Sequence, residues 1–260
     1  MLIKRQRELL ELIQSEPVIA IQDLTDRLGV SSATVRRDLS ALSAQGLIQR
    51  VRGGAMMVDP LGVEPTWIER GRREVARKRQ IAQAACDMIE DGQVVALDVG
   101  TTTLEIAKLL ARRSNLTVFT ASLMAAEVLA RGRPTVFLVG GRVRIQEMSL
   151  IGPLAREVVG HFHYDVFLLG AAGWSVEQGL TDFSMDDVDV KHALIEASKQ
   201  VVAVVDSSKY GMTSLTAITA IDDVDLIITD DGLDPTLRPQ IEELTRLQIA
   251  PAQGAEGRLA

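Results

Sequence analysis

Asp98, Asp182, Lys191, Asp206 and Lys209 are five ionisable residues, four of them within three short segments, DVGTTT (98–103), GLTD (179–182) and VDSSKYG (205–211). Each segment has the look of a strand end or a helix start. Carboxylates hydrogen-bond sugar hydroxyls, and ammonium groups answer phosphate or a carbonyl oxygen, so the set suits a polar, anionic small molecule. Asp98, Val99, Gly100, Thr101, Thr102 and Thr103 add a flexible glycine, three hydroxyls and the start of a helix, where free backbone N–H groups attract anions. The same residues also read as a plain N-cap with neighbouring threonines. Neither the lysine nor the glycine spacing of a P-loop is present, which argues against a nucleoside triphosphate. Gly140-Gly141 permits close backbone approach, with Arg142 and Arg144 just beyond; this is either a phosphate site or a tight turn with two surface arginines. A carboxylate beside a lysine and a phosphate cradle would also serve proton transfer between adjacent carbons of a sugar phosphate, which keeps an isomerase-like enzyme as the alternative.

These residues need a scaffold that gathers them. Short runs rich in β-branched residues predict strands at Val94–Asp98, Thr117–Thr120, Thr135–Gly140, Val166–Gly170, Val201–Asp206 and Leu226–Thr229. Helices are expected near 103–113, 122–131, 153–160, 186–199 and 236–246, after a charged amphipathic helix from Trp67 to Glu90. Alternation of apolar strands with helices predicts an α/β domain with a parallel sheet covered on both faces. Ligands of such sheets bind beyond the carboxyl ends of the strands, which would bring the five ionisable residues to one edge.

The N-terminal part carries a different chemistry. Gly29 stops one short helix, and Ser31, the first residue of SSATVRRDLSAL (31–42), caps the next. Val35, Leu39 and Leu42 form an inward stripe, so Ser32, Ala33, Arg36, Arg37 and Ser40 face outward. Helix, glycine-containing turn and helix make a helix-turn-helix. Two guanidinium groups among small residues can approach a duplex and contact guanine edges or phosphates; the plainer alternative is a solvated face paired with Asp38. LIQRVRGGAMMVD (47–59) then alternates about Gly53-Gly54, as a two-stranded wing would. The candidate DNA contacts are Ser32, Thr34, Arg36, Arg37, Arg50, Arg52, Gly53 and Gly54. Residues 55–66 contain two prolines and a glycine without a period and read as a hinge.

Charge follows the same division. The 260-residue chain has net charge −7, yet Arg27–Arg52 holds five arginines against one acid, Asp38, for a net +4 that leaves −11 elsewhere. An architectural DNA binder would be basic throughout, so a small DNA-reading head on a non-DNA-binding body fits better. Cys86 is the single cysteine, which excludes an intrachain disulfide and a thiolate metal cluster, and it reads as a buried small hydrophobe. His161 and His163 lack a third ligand nearby. The N-terminus has no signal-peptide pattern and no apolar run is long enough to span a bilayer, so the expected location is cytoplasmic, with no membrane partner.

VSSATVRRDLSAL with QGLIQRVRGGA, then Glu64-Pro65, Arg70, Lys78, DVGTTT, GLTDFSMDDVDVK and VDSSKYG, together resemble the DeoR family of bacterial transcriptional regulators over nearly the whole chain, to about residue 247. The resemblance implies a winged helix-turn-helix over 1–58, a linker over 59–75, a ribose-5-phosphate-isomerase-like (Rossmann-like) sensing and oligomerisation domain over 76–247, and a flexible tail over 248–260. It implies a repressor of a carbohydrate-catabolism operon, released from double-stranded operator DNA by a phosphorylated sugar. The implied effector residues are Asp98, Gly100, Thr101, Thr102, Thr103, Gly141, Arg144, Asp182, Lys191, Asp206 and Lys209, with Arg144 preferred to Arg142 by its spacing from the glycines. A homo-oligomer, dimer or tetramer, is expected, with no cofactor and no metal. Val99 stands where the family commonly has Ser and Ala121 where it commonly has Asn, which removes two side-chain hydrogen bonds to a ligand.

Overall fold

A computed structural model describes residues 4–14, 19–44, 48–51, 54–57 and 64–252, in two units divided between Val63 and Glu64. In the first unit, α1 (Lys4–Gln14) precedes β1 (Ile19–Ala20), α2 (Ile21–Leu28), α3 (Ser32–Ala44), β2 (Ile48–Val51) and β3 (Gly54–Met57). Gly29 ends α2 in the left-handed region, φ 62°, and the Ser31 hydroxyl accepts the Thr34 N–H at 3.2 Å. The predicted stripe of α3 is buried: Val35, Leu39 and Leu42 pack with Leu9, Ile13, Ile19, Leu24, Ile48 and Ala55. Each such aliphatic burial stabilises by about 1.5–3 kcal/mol. The wing is antiparallel, in the order β1-β3-β2, with Val51 opposite Gly54.

The second unit opens with α4 (Trp67–Arg72) and α5 (Val75–Asp87). The expected single helix from Trp67 to Glu90 is thus two helices and ends earlier. Thr66 and Glu69 form a capping box that starts α4. Glu74 turns into the left-handed region, φ 49°, and breaks the path before α5. Lys78 of α5 donates to the Arg70 and Arg73 carbonyls at 2.5 and 2.7 Å, tying the end of α4 to α5.

There follow β4 (Val94–Leu97), α6 (Thr101–Leu110), β5 (Thr117–Thr120), α7 (Leu123–Ala130), β6 (Thr135–Leu138), β7 (Arg142–Arg144), β8 (Ser149–Ile151), α8 (Pro153–Gly160), β9 (Val166–Leu169), β10 (Gly173–Ser175), β11 (Gly179–Asp182), α9 (Met185–Glu196), β12 (Val201–Val204), β13 (Thr216–Thr219), β14 (Leu226–Asp230), α10 (Arg238–Glu242) and β15 (Arg246–Ala250). Seven parallel strands run in the order β15-β14-β12-β9-β4-β5-β6. Successive side chains on a strand face opposite ways. Val95, Leu97, Leu168 and Val202 pack with α5, α6 and α7 on one face, and Ala96, Phe167, Leu169 and Ala203 with α8 and α9 on the other.

Four differences from the sequence reading matter. A small antiparallel sheet, β10-β11-β13, and a hairpin, β7-β8, accompany the parallel sheet. The helix expected at 236–246 is only Arg238–Glu242, after a 3-10 turn. Residues 248–250, expected in a tail, complete edge strand β15 beside β14, while 253–260 lie outside the described residues. Residues 64–75, most of the expected 59–75 linker, belong to the body. Among the described residues no helix is long and apolar enough to cross a membrane, and no group of three or more His, Cys, Asp and Glu side chains is arranged to hold a metal ion.

Candidate effector pocket and DNA-reading helix

Strand order reverses between β4 and β9, and the crevice at such a reversal is where α/β sheets bind ligands. Asp98 follows β4 and Gly170 follows β9, and the Gly170 N–H donates to Asp98 Oδ2 at 2.9 Å. Lys191 of α9 enters the same point with 2% of its side chain exposed, Nζ lying 2.7 Å from Asp98 Oδ2 and 2.8 Å from Asp182 Oδ2. It also donates to the Gly170 carbonyl at 2.8 Å. Burial alone would depress the Lys191 ammonium, but Asp182 and Asp98 outweigh it and hold its pKa above the ordinary lysine value. Burial pushes the Asp98 carboxyl up against the pull of Lys191. At Asp182 burial works the same way but loses to Lys191, so that carboxyl titrates below its usual range. Asp182 arrives on β11 of the small antiparallel sheet rather than from a strand end of the main sheet, as sequence reading supposed.

The floor of the pocket is the start of α6. Gly100 occupies the N-cap, φ 138°, and offers no side-chain acceptor. The loop is therefore not the self-capped helix start that the plain reading required. Thr103 spends its hydroxyl on the Gly100 carbonyl at 3.0 Å, whereas Thr102 Oγ1 is buried without a hydrogen-bond partner. Val99 lines the same wall, as do Lys209, Ala171 and Ala172. Lys209 Nζ donates to the Ala171 carbonyl at 2.6 Å, and burial lowers its pKa. Ala121, the other departure, is buried in the core below β5.

Four charged pocket residues, Glu64, Arg70, Glu147 and Asp187, carry no role in the sequence pattern. Glu64 and Arg70 were legible only as parts of a family resemblance, because a lone arginine on a charged helix carries no periodic signal. Both line the pocket with Glu147 and Asp187. Arg144 donates to the Glu64 carboxylate through both terminal nitrogens, one at 3.2 Å, and its Nη1 lies 3.1 Å from Asp187 Oδ2. Arg70 Nη2 pairs with Glu147 and stands 3.8 Å from Glu64 Oε1. Burial lowers the Arg70 pKa, partly offset by Glu64.

The remaining candidates sit further out. Arg142 is exposed and pairs with Asp186 at 2.6 Å. Gly141 packs backbone to backbone: a Cβ there would lie 2.8 Å from the Ile151 carbonyl. Asp206 is buried behind the pocket wall, its carboxylate accepting from Ser208 and its carbonyl from Trp174 Nε1 at 3.3 Å. His161 and His163 are exposed, His161 at the end of α8.

On α3, Ser32, Ala33, Arg36, Arg37 and Ser40 are exposed and Thr34 partly so. Asp38 turns inward and accepts from Arg5 Nε at 2.5 Å and Nη2 at 3.2 Å. Among the described residues neither Arg36 nor Arg37 forms an ion pair, so the alternative of a local pairing with Asp38 is not what the helix adopts. Gly54 is a packing glycine, since a Cβ would meet the Ile19 carbonyl at 2.4 Å. Arg52, Gly53 and the Arg50 side chain lie outside the described residues.

Known proteins resemble both units. Residues 5–60 match the family model described as a DeoR-like helix-turn-helix domain, and residues 73–231 match that of the DeoR C terminal sensor domain. Relatives include the HTH-type transcriptional regulator GlpR of Haloferax volcanii, 36% identical, covering 92% of this chain and 94% of its own. The transcriptional repressor AccR of Agrobacterium fabrum is 38% identical, over 93% and 95%. The glycerol-3-phosphate regulon repressor of Escherichia coli is 31% identical, over 87% and 90%. Among solved structures, ribose 5-phosphate isomerase A from Methanocaldococcus jannaschii is similar at TM-score 0.39 and 16% identity, over 51% of this chain and 53% of that one. With both units matched in chain order and three relatives alike over almost their full lengths, the chain belongs to the DeoR family of transcriptional regulators.

Proposed function

We propose that this regulator represses a carbohydrate-catabolism operon and is released from its operator by a phosphorylated sugar bound at the β4–β9 crevice. The observation that carries the ligand class is the uncapped start of α6 beside the unpartnered, 96% buried Thr102 hydroxyl. Free N–H groups at a helix start and a spare donor suit a phosphate. Asp98, Asp182, Lys191 and Lys209 would face the sugar, and Arg144 and Arg70 supply charge. The name of the Escherichia coli relative, a repressor of a glycerol-3-phosphate regulon, agrees with a small phosphorylated effector.

On the DNA side, α3 would enter the major groove with Ser32, Thr34, Arg36 and Arg37, while the wing with Arg50, Arg52, Gly53 and Gly54 touches the backbone. Association of two or more bodies would place two heads on repeated half-sites. The effector acts through its differential affinity for one arrangement of the bodies. An isomerase reading gains nothing from the geometry, because Lys191 engages both Asp98 and Asp182, the carboxylates it would enlist as base.

The test is thermal unfolding against a panel of phosphorylated sugars, each paired with its free sugar. A ligand at 100 times its Kd stabilises by about 2.7 kcal/mol, a shift of several degrees in a body of this size. Stabilisation by one phosphorylated compound alone, with loss of operator protection in a footprint, supports the reading. Stabilisation by free sugars alone refutes the phosphate.

A further inference from the structure

The stretch from Glu64 to Glu74 follows the residues that succeed the wing, and it reaches the pocket with side chains of opposite charge. Where Glu64 and Arg70 of this stretch enter, three carboxylates, Glu64, Glu147 and Asp187, face two guanidinium groups, Arg70 and Arg144. Both guanidinium groups are already answered by acids of the protein. Satisfaction is nevertheless incomplete: Arg70 Nε and Thr102 Oγ1 are buried without hydrogen-bond partners. An incoming phosphate cannot simply be added to three carboxylates, since burying like charges together is strongly unfavourable.

The stretch is also lightly seated. None of the residues of α4 is buried, and a cavity opens beneath it between Trp67, Ile68 and Gly71 on one side and Leu104 and Lys108 of α6 on the other. Polar attachments hold it in place. These are the Trp67 N–H to the Gln146 carbonyl at 3.3 Å, Arg70 to Glu147 and Glu64, and the two Lys78 hydrogen bonds at its C-terminal end.

We infer, resting on the reading of the pocket as a phosphorylated-sugar site, that Glu64 is a resident competitor for the anion site. Its carboxylate holds Arg144 and Arg70 in the empty pocket, and the effector's phosphate displaces it and frees the stretch over 64–73. A phosphate brings about −1.5 to −2 charges and three acceptor oxygens to guanidiniums that a carboxylate serves with one charge and two. Once expelled, Glu64 has no place beside a phosphate and Glu147 and moves into water. Occupancy of the pocket is thereby expressed in the chain that leads toward the head, without any change in the sheet.

The experiment titrates the full-length protein and E64Q with inorganic phosphate by calorimetry, and follows amide hydrogen exchange over residues 66–73. T102V in each background marks the pocket. Phosphate should bind E64Q at least tenfold more tightly than wild type. Exchange over 66–73 should rise at least tenfold with phosphate in wild type and be raised already in E64Q without it. If phosphate binds wild type in a Thr102-dependent way but E64Q binds it no better, or exchange over 66–73 stays unchanged, Glu64 is only a structural pair and the inference is overturned while the pocket reading stands. If phosphate binds neither protein, or binds regardless of Thr102, the pocket reading fails and takes the inference with it.

Discussion

Replacing Lys191 by methionine keeps the length of the side chain and removes its charge from between two carboxylates. The Nζ contacts at 2.7 Å to Asp98 and 2.8 Å to Asp182 would be lost, leaving the two acids facing each other with little access to water. Removing one partner of a buried pair costs about 3–5 kcal/mol. For a body of this size each kcal/mol moves the midpoint by about 2–4 °C, so the loss is on the order of 10 °C. The pH dependence distinguishes this cause from a packing defect. In wild type the raised Lys191 pKa means that its contribution is complete below the usual lysine value and fades only as pH rises through the folded value. Asp182, titrating low, contributes above its unfolded value and stops contributing as pH falls through the folded one. In the variant, repulsion raises the pKa of the facing carboxylates, so the native state takes up protons and the deficit should shrink between pH 7 and pH 5. Unfolding followed by circular dichroism and by the fluorescence of buried Trp174 reads both quantities. A variant within about 1 kcal/mol of wild type at pH 7, with no narrowing of the gap in acid, would refute the view of Lys191 as a desolvated ammonium clamp.

Thr102→Val should leave stability unchanged or up to about 1 kcal/mol higher, because an unpaired buried hydroxyl is removed, while phosphate binding weakens about tenfold by calorimetry; unchanged binding would place the phosphate elsewhere. Arg37→Ala should weaken operator binding by about 1–3 kcal/mol if the guanidinium reads a base or a phosphate, without altering unfolding of the head, since the side chain is exposed. Gly54→Ala should destabilise the head by about 1–3 kcal/mol through overpacking, because its Cβ would lie 2.4 Å from the Ile19 carbonyl; a neutral result in urea unfolding would contradict the close approach of β1 and β3. Burial pushes the Cys86 thiol up to about 12, so at pH 8 a disulfide reagent should react at least about 100-fold more slowly with native than with urea-unfolded protein.

The parts of this fold that could be read in advance are those with a period. Val35, Leu39 and Leu42 announced the buried side of α3 and so the outward side of Arg36 and Arg37. The apolar runs at β4, β9 and β12 announced a sheet buried on both faces, and with it the place where Asp98 and Lys191 meet. Short elements without a period escaped: β10 and β11 are three and four residues long, so the sheet that delivers Asp182 left no pattern. The break between α4 and α5 falls at Glu74, a residue without the glycine signature of a left-handed turn, and the apolar spacing on either side masked it. Gly54 and Gly141 carry the turn and the close backbone approach that their Gly-Gly pairs announce, but the neighbours they admit, the Ile19 and Ile151 carbonyls, have no sequence signal. Local sequence carries the need for a missing side chain but not the identity of what comes close.

The head completes its core between Leu9 and Ala55, while the pocket draws on residues from Glu64 to Lys209. Genetically, reading and sensing should therefore fail at separate sites. A stop codon or frameshift anywhere between those two pocket residues deletes part of every ligand contact set yet spares the whole DNA-reading core. Such a fragment lacks the intact body whose association is proposed to pair two heads, so it should occupy single half-sites weakly; operator protection as strong as that of the full chain would show that one head suffices. Loss of DNA reading without loss of the head's fold, and loss of sensing without loss of the body's, should therefore arise from single substitutions in α3 and in the pocket, and not from truncation.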